Sequence, residues 1–166
     1  LEKTKPIIFG GGMNAEFDHD GNRCYKNLPD RLEAGTPNIA GVIGFGYVLK
    51  YLNNLGFAKI HQYEWELKQY LLKRLAEIPE ITVYNQNSGS GIVTLNYDGI
   101  FPQDLAIYLD KYNICTRAGN HCAKILKDEI HIKNTCRISL YFYNNKLEID
   151  KLIEALKNPN LKQEII

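Results

Sequence analysis

The chain has 166 residues, of which 45% are hydrophobic and 23% are charged, and its formal net charge is +1 at pH 7. These values are typical of a soluble globular protein with one domain and an additional arm. The near-neutral charge argues against a nucleic-acid-binding surface, and no apolar run approaches the ~18 residues of a membrane-spanning helix. The sequence starts without methionine and without a signal-peptide pattern, so we expect no targeting segment within this stretch.

The N-terminal residues, 1–36, are predicted to form an arm. Residues 6–9 are predicted to be a short strand, and the glycines at 10–12 a turn or a close backbone approach. Asp20 and Gly21 suit the tip of a hairpin. Because an isolated hairpin here has little to pack against, we expect the arm to lie against other protein.

A helix is predicted over residues 37–55. Thr36 is a favourable N-cap, and Pro37 suits the first helical position, where its missing N–H costs nothing. Gly56 is a typical residue just after a helix end. The helix is apolar on nearly every side, so we expect it to be buried against more protein than this chain supplies.

The rest of the chain alternates helices and short strands. Asn145 and Glu148 form a capping-box pattern before the last helix. The predicted elements are a helix at 58–78, strands at 81–84 and 92–97, a helix at 102–112, strands at 114–117 and 135–142, and a helix at 146–157. This order predicts an α/β fold, specifically an α+β two-layer sandwich with a small sheet.

The candidate nucleophile lies on a glycine-containing loop that contains Arg117, His121 and Cys122. A cation and an imidazole next to a thiol both favour the reactive thiolate. The alternative is a buried, unreactive cysteine, which is common for intracellular thiols. For Cys115 and Cys136, which fall in predicted strands, we expect the packing role.

The four cysteines of the chain, which include Cys24, are unevenly spaced and form no C-x-x-C pair. This spacing fits neither a zinc site nor a disulfide scaffold, so we expect no metal site and a reducing compartment.

Two further segments are candidate anion sites. Gly35 and Thr36 precede a predicted helix, whose backbone N–H groups and dipole suit a phosphate; a plain helix cap is the alternative. Arg137 lies in the middle of a predicted strand, where its guanidinium either faces solvent or pairs with a carboxylate. The residue pattern alone does not decide between a phosphate site and a plain helix cap, or between a solvent-facing and a carboxylate-paired Arg137.

Four motifs together resemble the cysteine desulfurases of the class V aminotransferase family, specifically the Suf-type (group II) branch. They are Gly10-Gly-Gly-Met13, Glu33-Ala-Gly-Thr-Pro-Asn38, Arg117-Ala-Gly-Asn-His-Cys-Ala123 and Cys136-Arg-Ile-Ser139. The resemblance implies the C-terminal small domain of a pyridoxal-phosphate (PLP)-dependent transferase of fold type I. Residues 1–36 would end the large PLP-binding domain, and residues 37–166 would form the small α/β domain that carries the cysteine loop.

By the same resemblance, the parent enzyme removes sulfur from L-cysteine, giving L-alanine and a persulfide on Cys122. Arg137 would bind the substrate carboxylate with help from Arg117 and His121, and Gly35 and Thr36 would reach the cofactor phosphate of a partner subunit. The resemblance further implies pyridoxal 5'-phosphate as cofactor, a homodimer, a sulfur-acceptor protein of the Suf system and a role in iron–sulfur cluster assembly. The expected compartment is bacterial cytoplasm or a plastid-type organelle.

The sequence departs from the family pattern in two respects. Asn120 replaces the first histidine of the usual His-His-Cys, and no lysine lies in a context that matches the Schiff-base lysine. We therefore expect the 166-residue chain alone to be inactive. The alternatives for its function are a selenocysteine lyase and a non-catalytic α/β binding module.

Overall fold

The computed structural model describes residues 1–165, and the chain divides into two units, one of Leu1–Asn54 and a second that begins at Leu55. This division concerns packing within the chain. The domain boundary that the resemblance implies after residue 36 stays a prediction.

The first unit contains an antiparallel hairpin of β1 (Asn14–Phe17) and β2 (Arg23–Tyr25). Its turn is held by the Asp18 carboxylate, whose Oδ1 accepts the backbone N–H groups of Asp20 at 3.0 Å and Asn22 at 2.7 Å. The hairpin tip predicted at Asp20 and Gly21 is therefore confirmed. The strand predicted at residues 6–9 is wrong, since these residues adopt no strand conformation.

The first long helix, α1 (Ile39–Leu55), begins later than predicted. Asn38 rather than Thr36 caps it, because the Asn38 side-chain oxygen accepts the Gly41 N–H at 3.0 Å. Asn is at least as good an N-cap as Thr, so α1 begins directly after Asn38 rather than after Thr36. The predicted cap at Thr36 is therefore wrong. Within this chain α1 is exposed, and its burial against further protein stays a prediction. The exposed apolar residues of α1 include Ile39, Val42, Ile43, Phe45, Val48 and Leu49.

The second unit is a four-stranded antiparallel sheet with helices packed on one face. In chain order its elements are α2 (Phe57–Leu75), β3 (Ile81–Val83), β4 (Ile92–Tyr97), α3 (Pro102–Lys111), β5 (Arg117–Gly119), α4 (Lys124–Glu129), β6 (Thr135–Ser139), α5 (Lys146–Leu156) and α6 (Leu161–Glu164). The strand order is β3-β4-β6-β5. This arrangement confirms the predicted two-layer α/β sandwich.

Residues alternate strictly between the two faces of the sheet. Val93, Leu95, Cys136 and Ile138 point into the core formed with α2, α3 and α5. Because successive strand residues point to opposite faces, Arg137 must lie on the face away from that core. The sheet therefore has one apolar and one polar face.

Two predicted boundaries are wrong around the cysteine loop. The strand predicted at 114–117 begins only at Arg117, because the Ile114 N–H closes the end of α3 by donating to Leu109 O at 3.1 Å. Cys115 therefore lies outside the sheet and is exposed, contrary to its expected packing role. The short helix α4 was not predicted, and β6 ends at Ser139 rather than at residue 142.

A buried cation fastens the loop between β3 and β4. Lys68 on α2 is only 1% exposed, and its Nζ donates to Asn85 O at 3.1 Å, Ser88 O at 2.5 Å and Ser88 Oγ at 2.7 Å. Burial lowers the pKa of Lys68. All three ammonium donors thus have oxygen partners, which makes the burial of a charge without a carboxylate tolerable.

We predict that Lys68→Met loosens residues 85–91. The substitution keeps the apolar stem but leaves the loop oxygens without their donor, which costs about 1–3 kcal/mol. Amide hydrogen exchange in this loop should accelerate, and the free energy of unfolding should fall. Lys59→Met, at an exposed position near the start of the same helix, is the matched control and should change neither. Unchanged exchange in Lys68→Met would contradict the assigned role.

Candidate active site

Two arginines lie opposite each other on the polar face of the sheet. The β5–β6 register pairs Arg117 with Arg137, and the β4–β6 register pairs Thr94 with Arg137. Like charges directly across two strands destabilise a sheet. The Arg137 Nε is buried, and it has no hydrogen-bond partner within residues 1–165. This pair therefore favours an anion that bridges or neutralises the two guanidinium groups.

The cysteine lies on a tight turn whose geometry Asn120 maintains. The Asn120 side-chain oxygen accepts the Cys122 N–H at 3.0 Å, and its backbone oxygen accepts the Ala123 N–H at 3.0 Å. His121 and Cys122 both adopt left-handed backbone conformations, with φ of 56° and 58°. Such conformations cost energy for residues other than glycine, and they cluster at functional sites. The result is an exposed Cys122 side chain rather than a buried one.

His121 is turned towards the first residue of β6. Its Nε2 lies 3.0 Å from Thr135 Oγ1 and 3.1 Å from Thr135 O. Burial lowers the pKa of His121, and the positive charges of Lys127, Arg137 and Arg117 lower it further, whereas the hydrogen bond that the ring can donate to the backbone carbonyl of Thr135 raises it. The imidazole is therefore neutral at neutral pH, and the positive charge around it comes from Lys127 and the two arginines.

Two residues of this cluster were not identified from the sequence. Lys127 on α4 is 5% exposed, and its ammonium group donates a hydrogen bond to Oγ1 of Thr135. Thr135 is fully buried. Thr135 could have been found, because it precedes Arg137 by two residues and so shares its face. Lys127 had no comparable signal, since a lysine in a six-residue polar helix is ordinarily exposed.

The proposed phosphate-binding residues belong to the first unit. Gly35 has a φ of 81°, which suits glycine, and its N–H donates to Gly11 O at 2.8 Å. A side chain at Gly10 would approach Gly35 N within 3.0 Å, so this position requires glycine. The Gly35 N–H is thus occupied, and Thr36, which is exposed, carries the hydroxyl that suits an anion. The residues that the structure brings together are Arg117, His121, Cys122 and Arg137.

Across residues 1–165, none of the helices combines the length and the apolar character needed to cross a membrane.

The fold and the site together define a two-layer α/β domain with an exposed cysteine on the loop after β5 and two arginines paired across β5 and β6. The sequence profile of the aminotransferase class-V family matches residues 1–152, and the chain therefore belongs to that family.

Its relatives and structural neighbours include several cysteine desulfurases. A probable cysteine desulfurase from Ureaplasma parvum serovar 3 is 41% identical over 157 residues, covering 95% of this chain and 39% of the relative. The structure of the cysteine desulfurase CsdA from Escherichia coli is 30% identical with a TM-score of 0.85, covering 98% of this chain and 40% of the other. The apo structure of the cysteine desulfurase from Thermococcus onnurineus NA1 is 32% identical with a TM-score of 0.82, covering 92% of this chain and 38% of the other.

The chain thus spans about two fifths of the length of the proteins that it matches. These findings confirm the family resemblance and the fold class. The assignment to the Suf-type branch and the roles of individual residues stay predictions.

We predict that the imidazole of His121 titrates below its ordinary value of 6.5 in the folded chain. Because the folded-state pKa lies below the unfolded one, the stability linked to neutral His121 is present above the unfolded pKa and is lost as the pH falls towards the folded pKa. NMR titration in native buffer and in urea measures both values, with His121→Gln for assignment. A native pKa equal to or above that in urea would contradict this electrostatic description.

Proposed function

We propose that this chain is the C-terminal part of a Suf-type cysteine desulfurase, which takes sulfur from L-cysteine and forms L-alanine and a persulfide on Cys122. The observation that carries the proposal is the arginine pair across β5 and β6, next to the loop that exposes Cys122. An amino-acid substrate brings the carboxylate that such a pair accommodates, and the loop brings a nucleophile.

Substrate binding depends on Arg137. Its Nε is the buried donor that lacks a partner within the described residues, and a guanidinium can bind a carboxylate through two parallel hydrogen bonds. Arg117, opposite it and more exposed, adds positive charge at the same position of the sheet. The substrate carboxylate then relieves the repulsion between the two side chains.

Sulfur transfer depends on Cys122. As a thiolate it attacks the substrate sulfur, so that an S–S bond forms and the substrate C–S bond breaks. The electron pair of the broken bond stays with the carbon fragment, which gains a proton and leaves as L-alanine. Pyridoxal 5'-phosphate, when bound, supplies the electron sink that makes this bond cleavage accessible.

Cofactor binding is shared with residues outside this chain. Thr36 would hold the cofactor phosphate of the partner subunit in a homodimer, and the turn at Gly35 would position it; the exposed Thr36 hydroxyl fits an anion. Among the described residues, Lys68 and Lys127 are buried lysines, and their ammonium groups donate hydrogen bonds to oxygens within the fold. This supports the view that the Schiff-base lysine lies elsewhere in the parent protein and that the fragment alone is inactive. L-Alanine formed from L-cysteine by the 166-residue chain would contradict that view.

The acceptor of the persulfide would be a protein of the Suf system that serves iron–sulfur cluster assembly. The exposure of Cys122 supports protein-to-protein transfer, because a buried persulfide could not meet a second thiol. The proposed compartment is the cytoplasm or a plastid-type organelle.

We predict that the parent protein, incubated with pyridoxal phosphate and L-cysteine, gains one sulfur atom on Cys122. Peptide mass spectrometry should locate this sulfur, and Cys122→Ala should abolish it. Cys24→Ala and Cys115→Ala, which remove the other exposed thiols, are the matched controls and should retain it. Persulfide that persists in Cys122→Ala would refute the role of this residue.

We further predict that Arg137→Gln in the parent protein raises KM for L-cysteine about 10- to 150-fold. A hydrogen bond to a charged group contributes about 1.5–3 kcal/mol, and its loss also removes the match to the carboxylate. Steady-state alanine release measures the effect. L-Cysteine methyl ester lacks the carboxylate charge, so its KM should differ little between the unsubstituted protein and Arg137→Gln. An unchanged KM with a lowered kcat would exclude carboxylate binding as the function of Arg137.

A further inference from the structure

Three polar groups of the cysteine loop region converge on Thr135. The Lys127 ammonium donates to its Oγ1, and the His121 Nε2 lies 3.0 Å from the same oxygen. The backbone of Thr135 also pairs with Gly119, the last residue of β5. A single residue at the start of β6 thus contacts the loop both before Cys122 and after it.

The protons of this cluster can be counted. An ammonium group only donates hydrogen bonds, so Thr135 Oγ1 accepts from Lys127 and its own hydroxyl proton must point elsewhere. Within the described residues, the acceptor in reach of that proton is Nε2 of His121. Thr135 is fully buried, so a hydroxyl proton without an acceptor would cost about 1–3 kcal/mol.

The competing arrangement places the proton on Nε2, which then donates to Thr135 O at 3.1 Å. That arrangement leaves the Thr135 hydroxyl proton without an acceptor. Both arrangements leave His121 Nδ1 buried and without a partner within residues 1–165, so Nδ1 does not decide between them. The need of the Thr135 hydroxyl proton for an acceptor favours the first arrangement.

We propose that Lys127 and Thr135 are positioning residues that fix His121 as the neutral tautomer protonated at Nδ1. Lys127 orients the Thr135 hydroxyl, the hydroxyl donates to Nε2, and Nδ1–H becomes a donor that the fold leaves unused. On the residue directly before Cys122, this N–H suits an anionic partner such as a thiolate or a carboxylate. Protonation of Nε2 would break the hydroxyl bond and add a charge near Lys127, Arg117 and Arg137, so His121 acts as a neutral donor rather than as a base.

The importance of this donor for sulfur transfer rests on the proposed function, whereas the tautomer itself does not. It can be measured on the 166-residue chain without cofactor, substrate or turnover. Loss of desulfuration in the parent protein therefore leaves the proposal untouched, and a wrong tautomer leaves the proposed function untouched.

The test is the ring nitrogen NMR spectrum of the ¹⁵N-histidine-labelled chain, recorded above the titration of His121 and assigned with His121→Gln. We expect a protonated Nδ1 and a bare Nε2. Thr135→Val removes the hydroxyl at constant shape and should move the proton to Nε2, which then donates to the carbonyl of residue 135. Lys127→Met should shift the balance in the same direction, because the ammonium no longer orients the hydroxyl, whose proton can then turn away from Nε2.

Two matched variants control for general disturbance. Thr135→Ser keeps the hydroxyl, and Lys124→Met neutralises an exposed lysine on the same helix; both should retain Nδ1–H. A bare Nδ1 in the unsubstituted chain, or an unchanged tautomer in a folded Thr135→Val, overturns the proposal. If Thr135→Val does not fold, Lys127→Met decides, and an unchanged balance there overturns the role of the lysine.

Discussion

The packing of alternate β6 residues into the core constrains what lies on the open face of the sheet, where two arginines are paired across β5 and β6. Cys136 and Ile138 are held in the core, so the alternation of β6 leaves Arg137 no other face. The β5–β6 register then brings Arg117 beside it. A slip by one residue would bury a guanidinium among leucines. Hydrophobic packing on one face therefore determines where the two arginines lie on the other, and an anion bound there would relieve the repulsion that packing imposes.

The same face explains why so much positive charge can surround one histidine. Thr135 shares the face of Arg137, and it links His121 to Lys127 through a buried hydroxyl. Burying the charge of Lys127 without a carboxylate costs free energy. The fold tolerates this cost because the ammonium group has an oxygen partner. Burial lowers the pKa of His121, and the combined positive field lowers it further. Charge, rather than any single hydrogen bond, would thus favour a carboxylate in this region.

Elements with a strong local signal could be predicted from the sequence. The period-two pattern of β4 and β6 and the capping box of Asn145 and Glu148 form as expected, with both capping hydrogen bonds present at 3.1 and 3.0 Å. Errors arose where two local signals competed, as at the start of α1, where Asn38 caps instead of Thr36. Other errors arose where tertiary contacts decide. The burial of Lys127 depends on Thr135 in the following strand, and the exposure of Cys115 follows from the way α3 ends, and periodicity encodes neither.

Asn120 shows how one loop can separate geometry from proton chemistry. An asparagine side chain has an acceptor oxygen and no group that titrates near neutral pH, so its bond to the Cys122 N–H persists across the pH range in which a histidine changes charge. The turn that exposes the thiol therefore does not depend on protonation. Near neutral pH, proton-dependent behaviour of this turn comes from the imidazole of His121, whose Nε2 already faces Thr135. With an asparagine before it, His121 is the single imidazole of the loop, and its hydrogen-bond partners determine what that imidazole can donate.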